Sequence, residues 1–463
     1  MENKSDLTQG SIRTHIRRIA VPASIGMLFN TLFNVVDTIY AGNIGTSALA
    51  GMSLSFPIFF IILSMAFGIG TGATALISNA LGEKDEKGFH IFGYNALTLG
   101  VAVSLVLTIV GQFISEPMFR IMGAQGQTLQ YGMDYTNLIF LGTIFFILSM
   151  ILNSMLSSQG DTVSYRNVLI LGFFINLILD PLFILGWFGF PKMGTAGVAL
   201  ATVIVQAIST VYMAYRLSKS EHFVASEFKA CKVSMTAWKD ILKQGVPASL
   251  NMMTIALGVF VINYFIIKYA GDVSVAAYGA AVRIEQLALL PALGLNTATL
   301  TMVGQNYGAK KYDRIVKIYK KCMLYGVVIM TAAMVIVYPT AGFFVRIFNK
   351  DPAVIQAGAD YLRIEYICFN TYILMNVSIA LLQGLKRPGI AVYVGLYRQI
   401  IMPVIVFYAL GTMLSMGVFG VWWGIVIINW TAAIFTVLYT LKKLKEVKLE
   451  LESESADSEM ANS

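Results

Sequence analysis

Apolar residues in this chain come in long runs that are apolar all round, separated by short segments rich in Lys, Arg, Gly and Asp. "VAVSLVLTIV" from Val101 and "AVYVGLYRQIIMPVIVFYAL" from Ala391 show neither the polar face of a surface helix nor the alternation of a membrane-barrel strand of about ten residues. A helix that crosses a bilayer needs about 20 predominantly apolar residues. The runs supply twelve such spans, at residues 17–41, 52–80, 92–115, 131–158, 163–187, 194–216, 242–268, 276–303, 317–340, 356–384, 390–411 and 418–441. Several exceed the minimum, so tilt or extra turns outside the hydrocarbon are expected. Pro22, Pro57, Pro181, Pro247 and Pro291 lie inside spans, where neighbouring helices can satisfy the freed backbone groups.

The pattern repeats. "AVPASIGMLFN" from Ala20 is echoed by "GVPASLNMMTI" from Gly245, and "NALGEKD" from Asn79 by "QNYGAKKYD" from Gln305. "FRIMG" from Phe119 resembles "FVRIF" from Phe344, and "GTAGVAL" from Gly194 resembles "MGVFGVWW" from Met416. "SSQGD" from Ser157 resembles "LLQGLKRP" from Leu381, which sets Gly160 opposite Gly384. Five echoes in one order at offsets of 223–226 mark an internal duplication. Each half holds six spans, so both halves begin on the same side and are parallel repeats. The predicted architecture is an all-α polytopic membrane protein: twelve transmembrane helices in two six-helix lobes related by a pseudo-two-fold axis along the membrane normal. The lobes are placed at 14–216 and 242–441, joined by a linker at 217–241 that reads as an amphipathic surface helix. The acidic, Ser-rich stretch 442–463 reads as a disordered tail.

Composition agrees. Only 13% of residues are charged, against about 25% in soluble domains, and mean hydropathy is +0.71. The net charge of +8 would suit nucleic acid, but its distribution fits a membrane instead. With the N-terminus inside, the inner segments hold 25 Lys and Arg and the outer ones 5, while Arg283, Arg363 and Arg398 fall within spans. That bias places both termini in the cytoplasm. The first run lacks a small-residue cleavage site and is expected to remain as a spanning helix. Cys231, Cys322 and Cys368 are too widely spaced for a metal or redox motif, and His15, His90 and His222 are scattered. The Gly-rich "FGIGTGATA" from Phe67 lacks a phosphate-binding lysine and lies inside a span, where small residues allow close helix packing. These features exclude ATP hydrolysis and point away from an enzyme, and they imply no cofactor.

An ionisable group at membrane depth is costly and marks a functional site. The first half offers Asp37, late in span 1, and Asp180 in span 5, where Asn176 stands four residues earlier on the same helix face. Two carboxylates with nearby amide and hydroxyl oxygens could hold Na⁺, making Asp37 and Asp180 metal ligands, or could share a proton. Thr202 in span 6 and Asn34 in span 1 could add oxygens. The second half has no acidic residue in span 7, but it carries Arg283, Glu285, Arg363, Glu365 and Arg398, which read as an internal ion-pair network or as a site for direct proton or substrate handling. The 23 methionines and 12% aromatic content suit an adaptable apolar cavity.

"PASIGMLFNTLFNVVDTIYAGNIGTSALAG" from Pro22, "GTGATALISNALGEKD" from Gly70 and "LLQGLKRP" from Leu381 resemble the multidrug and toxic compound extrusion family of the multidrug/oligosaccharide/polysaccharide exporter superfamily, over about residues 14–441. The resemblance, to the bacterial and archaeal branch, implies a prokaryotic inner-membrane antiporter. Such a protein would export amphipathic, often cationic compounds against H⁺ or Na⁺ by alternating access and work as a monomer among lipids. It implies a cation site at Asp37, Asn176, Asp180 and Thr202, with helix 1 bending near Pro22. Some relatives carry acidic coupling residues in span 7, which this chain lacks. A lipid-linked oligosaccharide flippase of the same superfamily, and a non-transporting membrane scaffold, are the alternative functions.

Overall fold

The computed structural model describes residues 6–462, with side chains through Glu454. It is all helical in its regular structure. The first half runs α1 (Ile12–Ile44), α2 (Thr46–Gly82), α3 (Glu86–Ile121), α4 (Gly126–Leu141), α5 (Thr143–Ser158), α6 (Val163–Leu185) and α7 (Thr195–Ser218). A short α8 (Ala225–Ala230) leads into α9 (Met235–Gly308). Then follow α10 (Tyr312–Phe348), α11 (Pro352–Glu365), α12 (Phe369–Gly384), α13 (Ile390–Leu396), α14 (Met402–Tyr408) and α15 (Val418–Asn462). α4 and α5 form one span bent by 48° at Gly142. The 74 residues of α9 would reach about 110 Å at 1.5 Å per residue. That is over three times the ~30 Å hydrocarbon core, and the helix is interrupted at Gly271, with φ 69° and ψ −164°. Divided there it gives two spans, and the helices then match the twelve apolar runs. The chain is a multi-pass membrane protein.

The chain folds as two compact units that do not coincide with the sequence halves. Unit 1 is built on Ile25–Ser249, and unit 2 on Leu7–Ser24 together with the chain from Leu250 onward. The start of α1 therefore belongs with the second repeat and the start of α9 with the first. The two exchange points, after Ser24 and after Ser249, are equivalent under the 225-residue offset that relates Pro22 to Pro247. Small residues explain the exchange. In unit 1 the backbones of α2 and α9 meet so closely that a Cβ on Gly68 would overlap the Gly245 carbonyl and the Ser249 hydroxyl. In unit 2 a Cβ on Gly294 would overlap the Ala20 carbonyl and the Ser24 hydroxyl. The boundaries read from sequence, 14–216 and 242–441, follow the duplication; the packing follows these glycine contacts.

The polar N-terminal segment is also built into unit 2. Leu7 is fully buried, and its N–H donates to Gln305 Oε1 at 2.8 Å. Arg314 donates to the carbonyls of Leu7, Gln9 and Gly10. In unit 1 the linker is a docked strap rather than a free surface helix. Asn95 accepts from the Ser234 N–H at 2.7 Å, and Trp238 donates to the Thr98 hydroxyl at 3.2 Å. The predicted disordered tail is helical through Asn462. Leu444 and Val447 are buried and Leu451 packs against the same core, a stripe that the charged composition hides. Arg387 binds Glu446 and Glu450 on the same helix.

One turn recurs at equivalent places in the two halves. Asp85 N–H donates to Ala80 O, Asp161 N–H to Leu156 O, Lys311 N–H to Asn306 O and Arg387 N–H to Leu382 O. Each is the six-to-one bond that ends a helix through a left-handed residue. Those residues are Lys84, Gly160, Lys310 and Lys386, with φ between 55° and 77°. Lys84 and Lys310 are 226 apart, as are Gly160 and Lys386. The structural partner of Gly160 is thus Lys386, not Gly384, and the sequence echo there is two residues out of register. A left-handed non-glycine residue costs about 1–2 kcal/mol. Lys84→Gly is therefore expected to raise the thermal midpoint of the detergent-solubilised protein by relieving about 1 kcal/mol.

Candidate functional site: a buried carboxylate pair in unit 1

α1, α6 and α7 bring four of the residues read from sequence together in unit 1. Asp37 is 7% exposed, Thr202 4%, and Asn176 and Asp180 are fully buried. Asn176 Nδ2 donates to Asp180 Oδ1 at 3.1 Å, the bond that their four-residue spacing allows. The Thr202 hydroxyl donates to the Val198 carbonyl at 3.0 Å and lies 3.4 Å from Asp37 Oδ2. Asp37 and Asp180 neighbour each other directly. Asp37 Oδ1, Asp180 Oδ2 and Asn176 Oδ1 are buried with no hydrogen-bond partner. Each acid thus keeps one buried oxygen, and Asn176 its amide oxygen, without a donor. Burying bare carboxylates costs several kcal/mol each, so the arrangement is suited to a proton or a small cation that binds between them.

Sequence reasoning misses Tyr135 of α4, which is buried beside both carboxylates. Its run "GMDYTNLIF" gives no sign that this tyrosine, rather than Tyr131, turns inward. Asn34 is expected from the sequence to be a further oxygen donor, but the structure places it elsewhere. Its side chain is exposed and donates to the Asn30 carbonyl at 2.8 Å, so its amide is turned back onto its own helix. Pro22 is buried inside a helix that continues through it.

A narrow groove in the same unit is lined by Asn30, Phe33, Gly172, Val205, Gln206 and Ser209 among others. Gly172 is one turn from Asn176 on α6, and Val205 is one turn from Thr202 on α7, so groove and carboxylates share helix faces. Phe29 stands edge-on to Phe173 nearby, with ring centroids 5.6 Å apart.

The charged residues of the second half do not form a single ion-pair network. Arg283 is exposed and sits over the Phe348 ring, and Arg363 is exposed and pairs with Asp360 at 3.8 Å. Glu285 and Glu365 are buried, and Arg398 lies over the Tyr372 ring. Among the described residues no group of three or more His, Cys, Asp or Glu is arranged to hold a metal ion.

The MatE family model matches the chain twice, over residues 22–182 and 247–409. The FAD transporter of Shewanella oneidensis is 26% identical over 406 residues, 87% of this chain and 89% of that one. The multidrug export protein MepA of Staphylococcus haemolyticus is 24% identical over 443 residues, 94% and 95% of the two chains. A solved structure described as the outward-facing conformation of a multidrug resistance MATE family transporter of the MOP superfamily is 26% identical. It superimposes with a TM-score of 0.90 over 97% of this chain and 99% of that one.

Proposed function

The chain belongs to the MatE family, and from that premise we propose that it is a multidrug exporter working by alternating access and driven by a proton or sodium ion at Asp37 and Asp180. It is a secondary transporter, not an enzyme. One observation carries the coupling: the carboxylate pair, with one oxygen of each acid left without a donor, shares helix faces with an aromatic-edged groove within the same unit. The groove lining of Asn, Gln, Ser, Phe and aliphatic side chains suits amphipathic compounds better than sugar phosphates.

A cation entering from outside neutralises the pair and removes the charge that attracts a cationic drug. α1 carries Asp37 and part of the groove lining, and Pro22 makes its start pliable. Bending there disfavours the drug-bound arrangement. The ion can drive this only if it binds one conformation more tightly than the other. The surroundings are the inner membrane of a prokaryote with both termini in the cytoplasm, supported by the 25-to-5 charge bias.

The test is export from proteoliposomes of a lipophilic cationic dye, with Na⁺ and pH gradients imposed separately. One gradient is expected to drive export and the other not, which identifies the ion. Export that ignores both gradients would sink the coupling scheme.

A further inference from the structure

The strap between the two repeats turns one kind of side chain inward and another outward. Backbone bonds fix it on α3 in unit 1. Asn95 Nδ2 donates to the Lys232 carbonyl at 3.2 Å, and buried His90 accepts from the Val224 N–H at 2.9 Å. Its rings turn inward: Phe223 and Phe228 have centroids 5.1 Å apart, and Phe228 stands edge-on to Tyr94 of α3 at 5.5 Å. Acids at this junction face histidines. Glu227 Oε2 lies 3.2 Å from His90 Nδ1, and Glu86 Oε1 of α3 lies 2.9 Å from His222 Nδ1.

The lysines are left over. Lys229, Lys232 and Lys239 are exposed, and none of the ion pairs among the described residues uses them. Asp240, the acid beside Lys239, is partly buried. Apolar side chains stand uncovered among these lysines: Val233 is 55% exposed, Met235 62% and Leu242 37%. Met235, Lys239 and Leu242 recur at helical spacing, so they share one face of α9.

The apolar run of α9 begins directly after Lys243, which sets the strap at the depth of the lipid headgroups. Lysines interleaved with apolar side chains suit that boundary. Their stems lie along apolar surface while the ammonium groups reach phosphate oxygens. We propose that the strap is a docking surface for anionic phospholipid. Lys229, Lys232 and Lys239 hold the headgroups, and Val233, Met235 and Leu242 enter the boundary between headgroups and acyl chains. The surface uses neither Asp37 nor Asp180, so it stands or falls apart from the coupling scheme.

Native mass spectrometry of the detergent-purified full chain, titrated with phosphatidylglycerol or phosphatidylcholine, tests this. Phosphatidylglycerol is expected to bind more tightly. The triple variant Lys229→Gln/Lys232→Gln/Lys239→Gln should weaken its binding at least tenfold, since each lysine near an anionic surface is worth about fivefold. Unchanged phosphatidylcholine binding will show that the variant is folded, and arginine at the three positions should restore phosphatidylglycerol. Val233→Ser/Met235→Ser should weaken both lipids. Lys317→Gln/Lys320→Gln/Lys321→Gln removes the same charge from α10 and should leave the affinity as it was. Equal affinity for the two lipids in the wild type, phosphatidylglycerol binding that survives the strap variant, or equal losses in the two triple variants would each overturn the proposal, the last in favour of diffuse attraction to net charge.

Discussion

Asp37→Asn and Asp180→Asn are each expected to abolish gradient-driven export while leaving a folded protein that still binds dye. Asparagine matches aspartate in shape, and at 180 it keeps a carbonyl oxygen to accept from Asn176 Nδ2. What it removes is the charge that a cation must neutralise. Coupling between two ligands is a free energy, commonly about 1–3 kcal/mol, or roughly a 5–150-fold change in affinity. In the wild type, saturating the cation site should weaken dye binding by a factor in that range. In either variant the cation should leave dye affinity unchanged within about twofold, because most of that coupling energy is gone. Equilibrium dye binding with and without the driving cation gives the first quantity, and proteoliposome export the second. A variant that lost export yet kept the full cation-dependent shift would place coupling elsewhere. Thr202→Val should have a smaller effect, since its hydroxyl already bonds to Val198 and reaches Asp37 only at 3.4 Å.

Much of this site is legible in the amino-acid sequence. Carboxylates are so costly in an apolar span that Asp37 and Asp180 announce themselves, and the helical period puts Asn176 beside Asp180. Span number and the duplication are legible for a similar reason: twenty-residue apolar runs and repeated motifs are long signals. What escapes depends on which way a side chain turns. Asn34 and Asp37 are three apart, near enough on a helix to suggest a shared face, yet Asn34 bonds back to its own helix. Glu285 and Glu365 are each two residues from an arginine, which suggests ion pairs. The arginines turn elsewhere, Arg283 to the Phe348 ring and Arg363 to Asp360. The helical end of α15 is hidden because Leu444, Val447 and Leu451 make a narrow stripe among charges. Spacing records a face only when the partner helix is known.

Gly68→Val and Gly294→Val are expected to be strongly damaging to folding, and to be equivalent to each other. At both positions the new Cβ meets a carbonyl oxygen and a serine side chain on the opposing helix. The serine can rotate away, but the carbonyls of Gly245 and Ala20 belong to helix backbones and cannot. Overpacking of this kind costs about 1–3 kcal/mol, sometimes more, against a total stability of roughly 5–15 kcal/mol. Each variant should lower the folded fraction in fluorescence-detected size-exclusion chromatography, and the double variant should lose close to the sum, since the two contacts lie in separate units. Gly42→Val serves as the control, because a Cβ at Gly42 meets nothing within 4 Å. If Gly68→Val and Gly294→Val behaved like Gly42→Val, the close backbone approach would not be what assigns the start of each repeat's first helix to the other unit. The equivalence of the two sites is the sharper part of the expectation. Duplication alone requires similar sequences, whereas a shared cost at Gly68 and Gly294 requires that each copy packs its opening helix against the other copy's second span.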